Sequence, residues 1–159
     1  MIKLLCSDVD GVMTDNKLHI SATGELFKTF NARDGWALKV ILPENGIVPA
    51  VITGRKSQIV PKRCEELGVS LVFCGRNDKN AVVAQLAEEK GYSLSEIAFI
   101  GDDYNDLPAI KLAGVSGCPS DAIESVKAAV TYVCKAKGGE GALREFAEWV
   151  VAQQSGEQA

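Results

Sequence analysis

The sequence predicts an α/β protein, a doubly wound parallel sheet with a small β-hairpin inserted after the first strand. From Asp34 onward, short apolar runs alternate with longer stretches of helical periodicity, as in the strand–helix–strand units of parallel sheets. Between residues 13 and 30, polar and apolar side chains alternate instead, which is typical of a hairpin. The length of 159 residues suits one domain, expected over residues 1–152 and followed by a disordered polar tail at 153–159.

Local patterns place each element in order. The first apolar run is short because it meets Asp8 directly, and small residues at 22–24 separate the two strands of the hairpin. Ser57 is a suitable N-cap for a helix that Gly68 ends. The predicted strands are 2–6, 17–20, 26–30, 47–53, 69–74, 97–100, a short one from 115, and 132–133. The predicted helices are 34–44, 57–67, 78–90, 107–112, 121–129 and 141–152.

Composition narrows the class of protein. A formal net charge of −4 argues against a nucleic-acid partner, because phosphate backbones require a basic face. The 5 cysteines have no zinc-site spacing, and we expect them to be reduced. No apolar run approaches the roughly 20 residues of a membrane helix, and the N-terminus has no signal-peptide pattern. We therefore expect a soluble, cytoplasmic protein that does not bind membranes.

Polar residues cluster where the predicted strands end. In open α/β sheets, the carboxyl ends of the strands meet at one edge, and ligands bind there. One lysine also opens the helix between the second and third of these strand ends. The residues that this rule gathers are Asp8 and Asp10 after the first strand, Thr53 and Arg55 after the strand at 47, Lys79 at the helix start, and Asp102 and Asp103 after the strand at 97.

This set of residue types is suited to phosphoryl transfer with a metal. Several carboxylates in one place remain ionised only around a cation, and oxygen ligands favour Mg²⁺. Asp8 and Asp10 point the same way from a strand end, so that one can attack phosphorus while the other handles protons. Thr53 and Lys79 can bind the phosphate and its developing charge. Each piece alone is common in turns and helix caps, but their joint placement predicts a site.

The motifs resemble those of the haloacid dehalogenase superfamily of phosphatases. They are Asp8-Val9-Asp10-Gly11-Val12 with Thr14-Asp15, then Thr53-Gly54-Arg55, then Lys79, then Gly101-Asp102-Asp103-Tyr104-Asn105-Asp106. The resemblance extends over almost the whole chain and implies a Rossmann-like fold of the haloacid dehalogenase type. No interval between motifs is long enough for the cap domain that most members carry.

The resemblance also implies a role for each residue. Asp8 is the nucleophile and also a metal ligand, and Asp10 is the general acid and then the base, with its backbone carbonyl on the metal. Thr53 and Lys79 hold the phosphate. Asp102 is the metal ligand of the last motif, supported by two further carboxylates, Asp103 and Asp106. Asp106 lies one helical turn beyond Asp102 and returns to the same face.

Further segments are similar to the small sugar-acid phosphatase family, which dephosphorylates 3-deoxy-D-manno-octulosonate 8-phosphate in lipopolysaccharide synthesis. They are residues 11–15, 30–35, 52–57 and 138–145. A sister group acts on a nine-carbon keto acid 9-phosphate of the sialic-acid type and typically has glutamate in place of Arg55 and lysine in place of Glu66. The resemblance implies a phosphorylated sugar acid as substrate, a homotetramer in which one subunit covers another's site, and a bacterium that makes lipopolysaccharide.

Several residues keep two interpretations. Arg63 either reaches a neighbouring subunit's site and binds the sugar acid, or is a solvated arginine on its helix. Arg55 either contacts substrate or only turns the chain. Arg33 and Asp34 are substrate contacts or a loop ion pair in which Asp34 caps its helix. The glycines at 138, 139 and 141 either pack near the site or form a loop, and His19, the single histidine, is expected at the surface.

Three rival functions stay open. The first is a phosphatase for the nine-carbon substrate or another small phosphate. The second is a non-catalytic regulatory or oligomerisation module, which would be expected to have lost Asp8 or Asp10. The third is a response-regulator receiver domain, which places its acidic pair and its phosphoacceptor on different strands and therefore fits the Asp8–Asp10 spacing poorly.

Overall fold

A computed structural model describes residues 1–156, and in it a six-stranded parallel sheet forms the centre of the molecule. The strand order is β5-β4-β1-β6-β7-β8, with parallel pairing throughout. Helices cover both faces, so the predicted doubly wound α/β class is confirmed. The strands of this sheet are β1 Leu4–Ser7, β4 Val48–Ile52, β5 Leu71–Phe73, β6 Ile97–Ile100, β7 Val115–Cys118 and β8 Tyr132–Val133.

Two apolar cores lie on opposite faces of the sheet. Successive side chains of a strand point to opposite faces, and accordingly Leu5 of β1 belongs to one core while Leu4 and Cys6 belong to the other. Both faces of β1 and β6 are buried, which explains their continuous apolar sequences. The first core is covered by α1 Ala32–Trp36, α2 Leu42–Glu44, α3 Ile59–Leu67 and α7 Ala142–Ser155; the second is covered by α4 Lys79–Lys90, α5 Leu107–Leu112 and α6 Glu124–Lys127.

The predicted insertion contains a separate antiparallel hairpin. Its strands are β2, His19–Ser21, and β3, Gly24–Phe27, so the pair is shorter than the sequence predicted. His19 is half-buried and stacks on Phe27, with ring centroids 4.1 Å apart. Four large apolar side chains nevertheless face solvent in and beside the hairpin: Leu18, Ile20, Leu26 and Phe27.

The helix predicted at 34–44 begins two residues earlier, and its cap differs from the prediction. Asn31 is the N-cap, since its side chain accepts from the Arg33 N–H at 2.8 Å. The interpretation of Asp34 as the cap of its own helix is therefore wrong. Asp34 is buried and accepts from the Arg144 N–H at 3.0 Å, so its carboxylate serves the first turn of α7 instead. A π-helical stretch, Ala37–Ile41, connects α1 to α2.

The C-terminal helix is longer than predicted. It continues to Ser155, so the expected disordered tail is wrong for residues 153–155, whereas residues 157–159 lie outside the described range. The 5 cysteines are all free, as predicted. Within residues 1–156, none of the helices has the length and hydrophobicity needed to span a membrane.

Candidate active site

A cleft of about 260 Å³ opens at the carboxyl ends of the strands, as the topology predicts. It combines residues from the loops that follow β1, β4, β5 and β6. Of the predicted site residues, it includes Asp8, Asp10, Thr53, Arg55, Asp102 and Asp103, and its remaining lining residues are Asn16, Leu18, Gly54, Asn77 and Asn105. A larger cavity of about 380 Å³ lies around Met1, Trp149 and Gln153, and among residues 1–156 no ionisable side chain lines it.

Lys79 lies behind the nucleophile candidate and bridges two carboxylates. Its Nζ is 2.7 Å from Asp8 Oδ1 and 2.6 Å from Asp106 Oδ1, and its side chain is 1% exposed. Burial disfavours the lysine's charge, but Asp8 and Asp106 outweigh burial and raise the pKa of Lys79 above its ordinary value. Burial and the nearby Asp106 raise the pKa of Asp8 well above its ordinary value, although Lys79 opposes them. Without a further cation, this site therefore has an excess of buried negative charge.

Asp106 acts on the loop of the last motif through its second oxygen. Oδ2 accepts from the backbone N–H of Asp102 at 2.8 Å and of Asp103 at 3.2 Å. Both oxygens of Asp106 are therefore occupied by protein donors, one by Lys79 and the other by the backbone. The arrangement fixes the turn from which the Asp102 side chain projects into the cleft.

Asp102 has the environment of a metal ligand. Burial raises its pKa to about 7, and repulsion from Asp106 adds to the effect. Its carboxylate lies directly over Gly11, where a Cβ would overlap it, and Gly11 also has a φ of +90°. A glycine is thus required after the Asp8–Asp10 pair to let Asp102 approach.

The donor set fits a hard divalent cation. Asp8, Asp102 and Asp106 each offer a carboxylate oxygen, and the three oxygens lie within 4.8 Å of one another. Both oxygens of Asp106 already accept from protein donors, whereas Asp8 and Asp102 each keep an oxygen with no such donor among residues 1–156. An all-oxygen set of this kind is preferred by Mg²⁺.

Thr53 and Arg55 line the cleft from the loop that follows β4. Thr53 is 1% exposed, and its Oγ1 accepts from the Arg55 N–H at 3.2 Å. Its hydroxyl proton is free to be donated to a phosphate oxygen. The Arg55 side chain is exposed at the rim of the cleft. On the loop after β6, Asp103 caps the turn that follows Asp102 by accepting from the Tyr104 N–H at 2.7 Å.

The structure adds a lysine that the sequence analysis missed. Lys28, from the end of the hairpin, places its Nζ 2.6 Å from Asp10 Oδ1 and 3.0 Å from Glu25 Oε1. Burial lowers its pKa, but the two carboxylates outweigh burial and raise it. Sequence spacing could not reveal the contact, since it joins residues 18 positions apart across an insertion. Asn105 could have been found, because it lies inside the last motif.

Arg63 does not line the cleft of its own chain. It lies on α3 in a groove that also includes Phe30 and Glu66. Its guanidinium carbon is 5.9 Å from the centroid of the Phe30 ring, and its Nη1 is 3.3 Å from Glu66 Oε2. Its side chain is 24% exposed, and its Nε is buried with no hydrogen-bond partner among residues 1–156.

The glycine segment at 138–141 packs against the loop that follows the Asp8–Asp10 pair. The Gly139 N–H donates to the Val12 carbonyl at 2.9 Å, and Asn31 donates to the Gly139 carbonyl at 3.2 Å. A Cβ on Gly138 would overlap the carbonyl oxygen of Gly11. Of the two interpretations left by the sequence, packing near the site is therefore correct for Gly138 and Gly139.

Comparison with known proteins identifies the family. The sequence profile of the haloacid dehalogenase-like hydrolases matches residues 72–145. The 3-deoxy-D-manno-octulosonate 8-phosphate phosphatase of Haemophilus influenzae is 40% identical over 153 residues, which are 96% of this chain and 84% of that protein. The enzyme of the same name from Escherichia coli K12 is 35% identical, over 96% of this chain and 81% of that protein.

Solved structures agree with the sequence comparison. The cobalt-bound form of the Haemophilus influenzae phosphatase has a TM-score of 0.92 and 41% identity, and covers 98% of this chain and 90% of that one. The Moraxella catarrhalis enzyme was solved with a magnesium ion, a phosphate ion and the eight-carbon sugar acid. It has a TM-score of 0.90 and 37% identity, and the match covers 96% of this chain and 86% of that one. The chain therefore belongs to the haloacid dehalogenase-like hydrolases, in the family of the 3-deoxy-D-manno-octulosonate 8-phosphate phosphatases, which are phosphomonoesterases.

Proposed function

We propose that this chain hydrolyses 3-deoxy-D-manno-octulosonate 8-phosphate to the free sugar acid and inorganic phosphate, through a phosphoryl-Asp8 intermediate and with Mg²⁺. The observation that carries the proposal is the meeting of Asp8, Asp102 and Lys79 in one buried cluster at the cleft, in a chain 40% identical to a phosphatase named for this substrate. The intact Asp8–Asp10 pair disfavours the non-catalytic module.

The reaction has two steps. In the first, an oxygen of Asp8 attacks phosphorus, and the bond from phosphorus to the sugar oxygen breaks while Asp10 gives that oxygen a proton. In the second, water attacks the phosphorus of phosphoryl-Asp8, Asp10 takes a proton from the water, and the bond to Asp8 breaks. Free phosphate, the carboxylate of Asp8 and protonated Asp10 result, which are the states from which the first step began, so the enzyme is ready for another substrate.

The other residues of the cluster have supporting roles. Asp8, Asp102 and the backbone carbonyl of Asp10 would hold Mg²⁺, which would weaken the repulsion between the Asp8 carboxylate and the phosphate and neutralise charge in the transition state. Thr53 donates to a phosphate oxygen. Lys79 orients Asp8 and offsets its charge, whereas Asp106 and Asp103 fix the turn that presents Asp102.

Recognition of the sugar requires residues outside the cluster. Arg55 at the cleft rim is suited to contact the substrate, and Arg63 is suited to bind a carboxylate only in a neighbouring subunit's cleft, since it does not line its own. We infer a homotetramer in which one subunit completes another's site. The exposed apolar side chains of the hairpin support such an assembly, because they form a surface that a second copy could cover.

The second candidate substrate is the nine-carbon keto acid 9-phosphate. The same chemistry would serve it, so only the sugar contacts distinguish the two. Arg55 and Glu66 are the residues of this chain that favour the eight-carbon substrate, and Glu66 forms its ion pair with Arg63. A cytoplasmic location remains a prediction, supported by the 5 free cysteines that a reducing compartment would preserve.

The test measures phosphate release from both sugar acid phosphates, with Mg²⁺ and with EDTA, for the wild type and Asp8→Asn. We expect release that prefers the eight-carbon substrate, stops with EDTA and is lost in Asp8→Asn. A preference for the nine-carbon substrate would retain the chemistry and overturn the assignment of Arg55 and Glu66. No release from either ester by Mg²⁺-loaded protein would favour the non-catalytic module.

A further inference from the structure

A buried chain of polar side chains connects the hairpin to Asp10. Lys28 Nζ lies 2.6 Å from Asp10 Oδ1 and 3.0 Å from Glu25 Oε1. Glu25 Oε2 in turn accepts from Ser57 Oγ at 2.7 Å. The Lys28 side chain is only 4% exposed, and those of Asp10 and Glu25 are each 14% exposed. The contacts therefore join the insertion, the loop after β1 and the start of α3.

Lys28 is placed to act on Asp10 rather than on substrate. It does not line the cleft, whereas Asp10 does. Its ammonium group already donates to two carboxylates, so its charge is directed away from a bound phosphate. Since Oδ1 of Asp10 is held by Lys28, Oδ2 is left as the oxygen available for proton transfer at the cleft.

We propose that Lys28 is a positioning residue for this reaction: it fixes the carboxyl group of Asp10 in the orientation from which Asp10 serves the leaving-group oxygen. A carboxylate on a short side chain can rotate about two bonds, and a proton donor must lie within hydrogen-bond reach of its target. A charged hydrogen bond to one oxygen restricts that rotation. This inference rests on the proposed function, since it presupposes that Asp10 transfers protons.

Glu25 and Ser57 hold Lys28 in turn. Glu25 lies three residues before Lys28 and gives the ammonium group of Lys28 a second acceptor. The Ser57 hydroxyl donates to Glu25 and also accepts from the N–H groups of Ile59 and Val60. It therefore connects Glu25 to the start of α3. Through these contacts the insertion holds the Asp10 side chain, and it also contributes Leu18 to the lining of the cleft.

Two substrates whose leaving groups differ in their need for a proton can distinguish a positioning role of Lys28 from a purely structural role. A sugar alkoxide needs a proton as it departs, whereas the nitrophenolate of p-nitrophenyl phosphate departs without one. The ratio kcat/KM reports the steps up to the first irreversible one, which here includes the departure of the leaving group. A misplaced Asp10 therefore lowers kcat/KM for the sugar phosphate far more than for the aryl phosphate.

The experiment compares kcat/KM for both esters in wild type, Lys28→Met, Glu25→Gln and Asp10→Asn, with Mg²⁺. We expect Lys28→Met to lower the value for the sugar phosphate about 10- to 100-fold while changing that for the aryl phosphate less than about threefold. Asp10→Asn should show the same selectivity with a larger loss. Glu25→Gln, which keeps the Lys28–Asp10 contact, should show a smaller loss than Lys28→Met.

Lys62→Met is the matched control, since it makes the same substitution at an exposed lysine on α3. We expect wild-type values for both esters. Equal losses for both esters in Lys28→Met, or no loss, would overturn the positioning role. If Asp10→Asn also failed to discriminate between the esters, the proposed proton transfer by Asp10 would fail instead. Circular dichroism and thermal unfolding establish that each variant is folded.

Discussion

Lys79 Nζ lies 2.6 Å from Asp106 Oδ1, and the two side chains are 1% and 0% exposed. Asp106 thus connects the buried ammonium group to the backbone N–H groups that present Asp102. Removing Asp106 would leave Lys79 with Asp8 as its remaining carboxylate partner and would leave the N–H groups of Asp102 and Asp103 without their acceptor. Breaking a buried, hydrogen-bonded pair in this way costs about 3–5 kcal/mol.

We therefore expect Asp106→Ala to lower the free energy of unfolding by about 3 kcal/mol. Urea unfolding in EDTA measures this loss of unfolding free energy without a contribution from bound metal. The matched control is Glu65→Ala, which breaks an exposed ion pair with Lys62 and should cost less than about 1 kcal/mol. Equal costs for the two variants would show that the buried pair contributes nothing beyond a surface pair.

Metal affinity should depend on pH through the carboxylates of the cluster. The pKa of Asp102 is about 7 without metal, and only its ionised form binds a cation. If one proton is displaced, the affinity for Mg²⁺ falls about tenfold for each pH unit below 7 and becomes constant well above it. Isothermal titration calorimetry between pH 5.5 and 8.5 measures it, and an affinity independent of pH would contradict the prediction.

Asp34 should make stability fall as pH rises. Burial raises its pKa to about 6 from an ordinary value of 3.8, although the N–H groups at the start of α7 oppose the shift. The folded state therefore holds this proton more tightly than the unfolded state, and the contribution, roughly 2–3 kcal/mol, is lost as pH rises through the window from about 4 to 6.

Asp34→Asn removes the titrating group while keeping an oxygen that can accept from Arg144. We expect this variant to lose much of the decline in unfolding free energy between pH 4 and 6, measured by urea unfolding in EDTA. Asp8 and Asp102 also have raised pKa values, so part of the decline remains in the variant and is removed by Mg²⁺. An unaltered decline in Asp34→Asn would contradict the assignment.

Gly138 should be necessary for the shape of the nucleophile loop. In Gly138→Ala, the new methyl group overlaps the backbone carbonyl of Gly11, so we expect a loss of kcat of at least about tenfold and a lower melting temperature. Gly46→Ala is the control: Gly46 has a φ of +70° but open space around it, so the substitution strains only the backbone. It should cost about 1 kcal/mol of stability and leave kcat unchanged.

The proposed placement of Arg63 in a neighbour's cleft predicts complementation between subunits. Asp8→Asn lacks a nucleophile, and Arg63→Met lacks the guanidinium while keeping an apolar stem against Phe30. Each variant alone should be inactive or nearly so. After co-refolding at equal amounts, about a quarter of the sites pair an intact Asp8 with an intact Arg63, so about a quarter of wild-type activity should return. No gain over the separate variants would place Arg63 outside the partner's site.

The sequence predicted the site best where reactive or ligating side chains directly follow a strand. Asp8, Thr53 and Asp102 follow buried apolar strands, and the parallel topology alone gathers them at one edge. The spacing of four residues also predicted that Asp106 returns towards Asp102, but the hydrogen bond from the Asp102 N–H to its carboxylate was not predicted. The Lys28–Asp10 contact could not be predicted, because it depends on how the hairpin folds back over the sheet.

Helix ends were predicted less well, for reasons of tertiary packing. Asp34 has the residue type of an N-cap, but Asn31 occupies that position, and the Asp34 carboxylate is used by a helix more than 100 residues away. Likewise, polar residues after 152 suggested a tail. The start of α7 is fixed by that buried carboxylate, and its last turn, to Ser155, continues from a well-packed apolar face.

The contacts of Gly138 and Gly139 have a consequence for the order in which the protein is made. The loop that follows Asp8 is synthesised before the segment that supports it, because Gly138 and Gly139 lie more than 120 residues later in the chain. A nascent chain that has emerged only as far as β8 already possesses every proposed catalytic group but lacks this support. The active cleft can therefore take its final shape only after Gly138 and Gly139 have been synthesised, so chains that stop before this segment should be unable to consume the substrate.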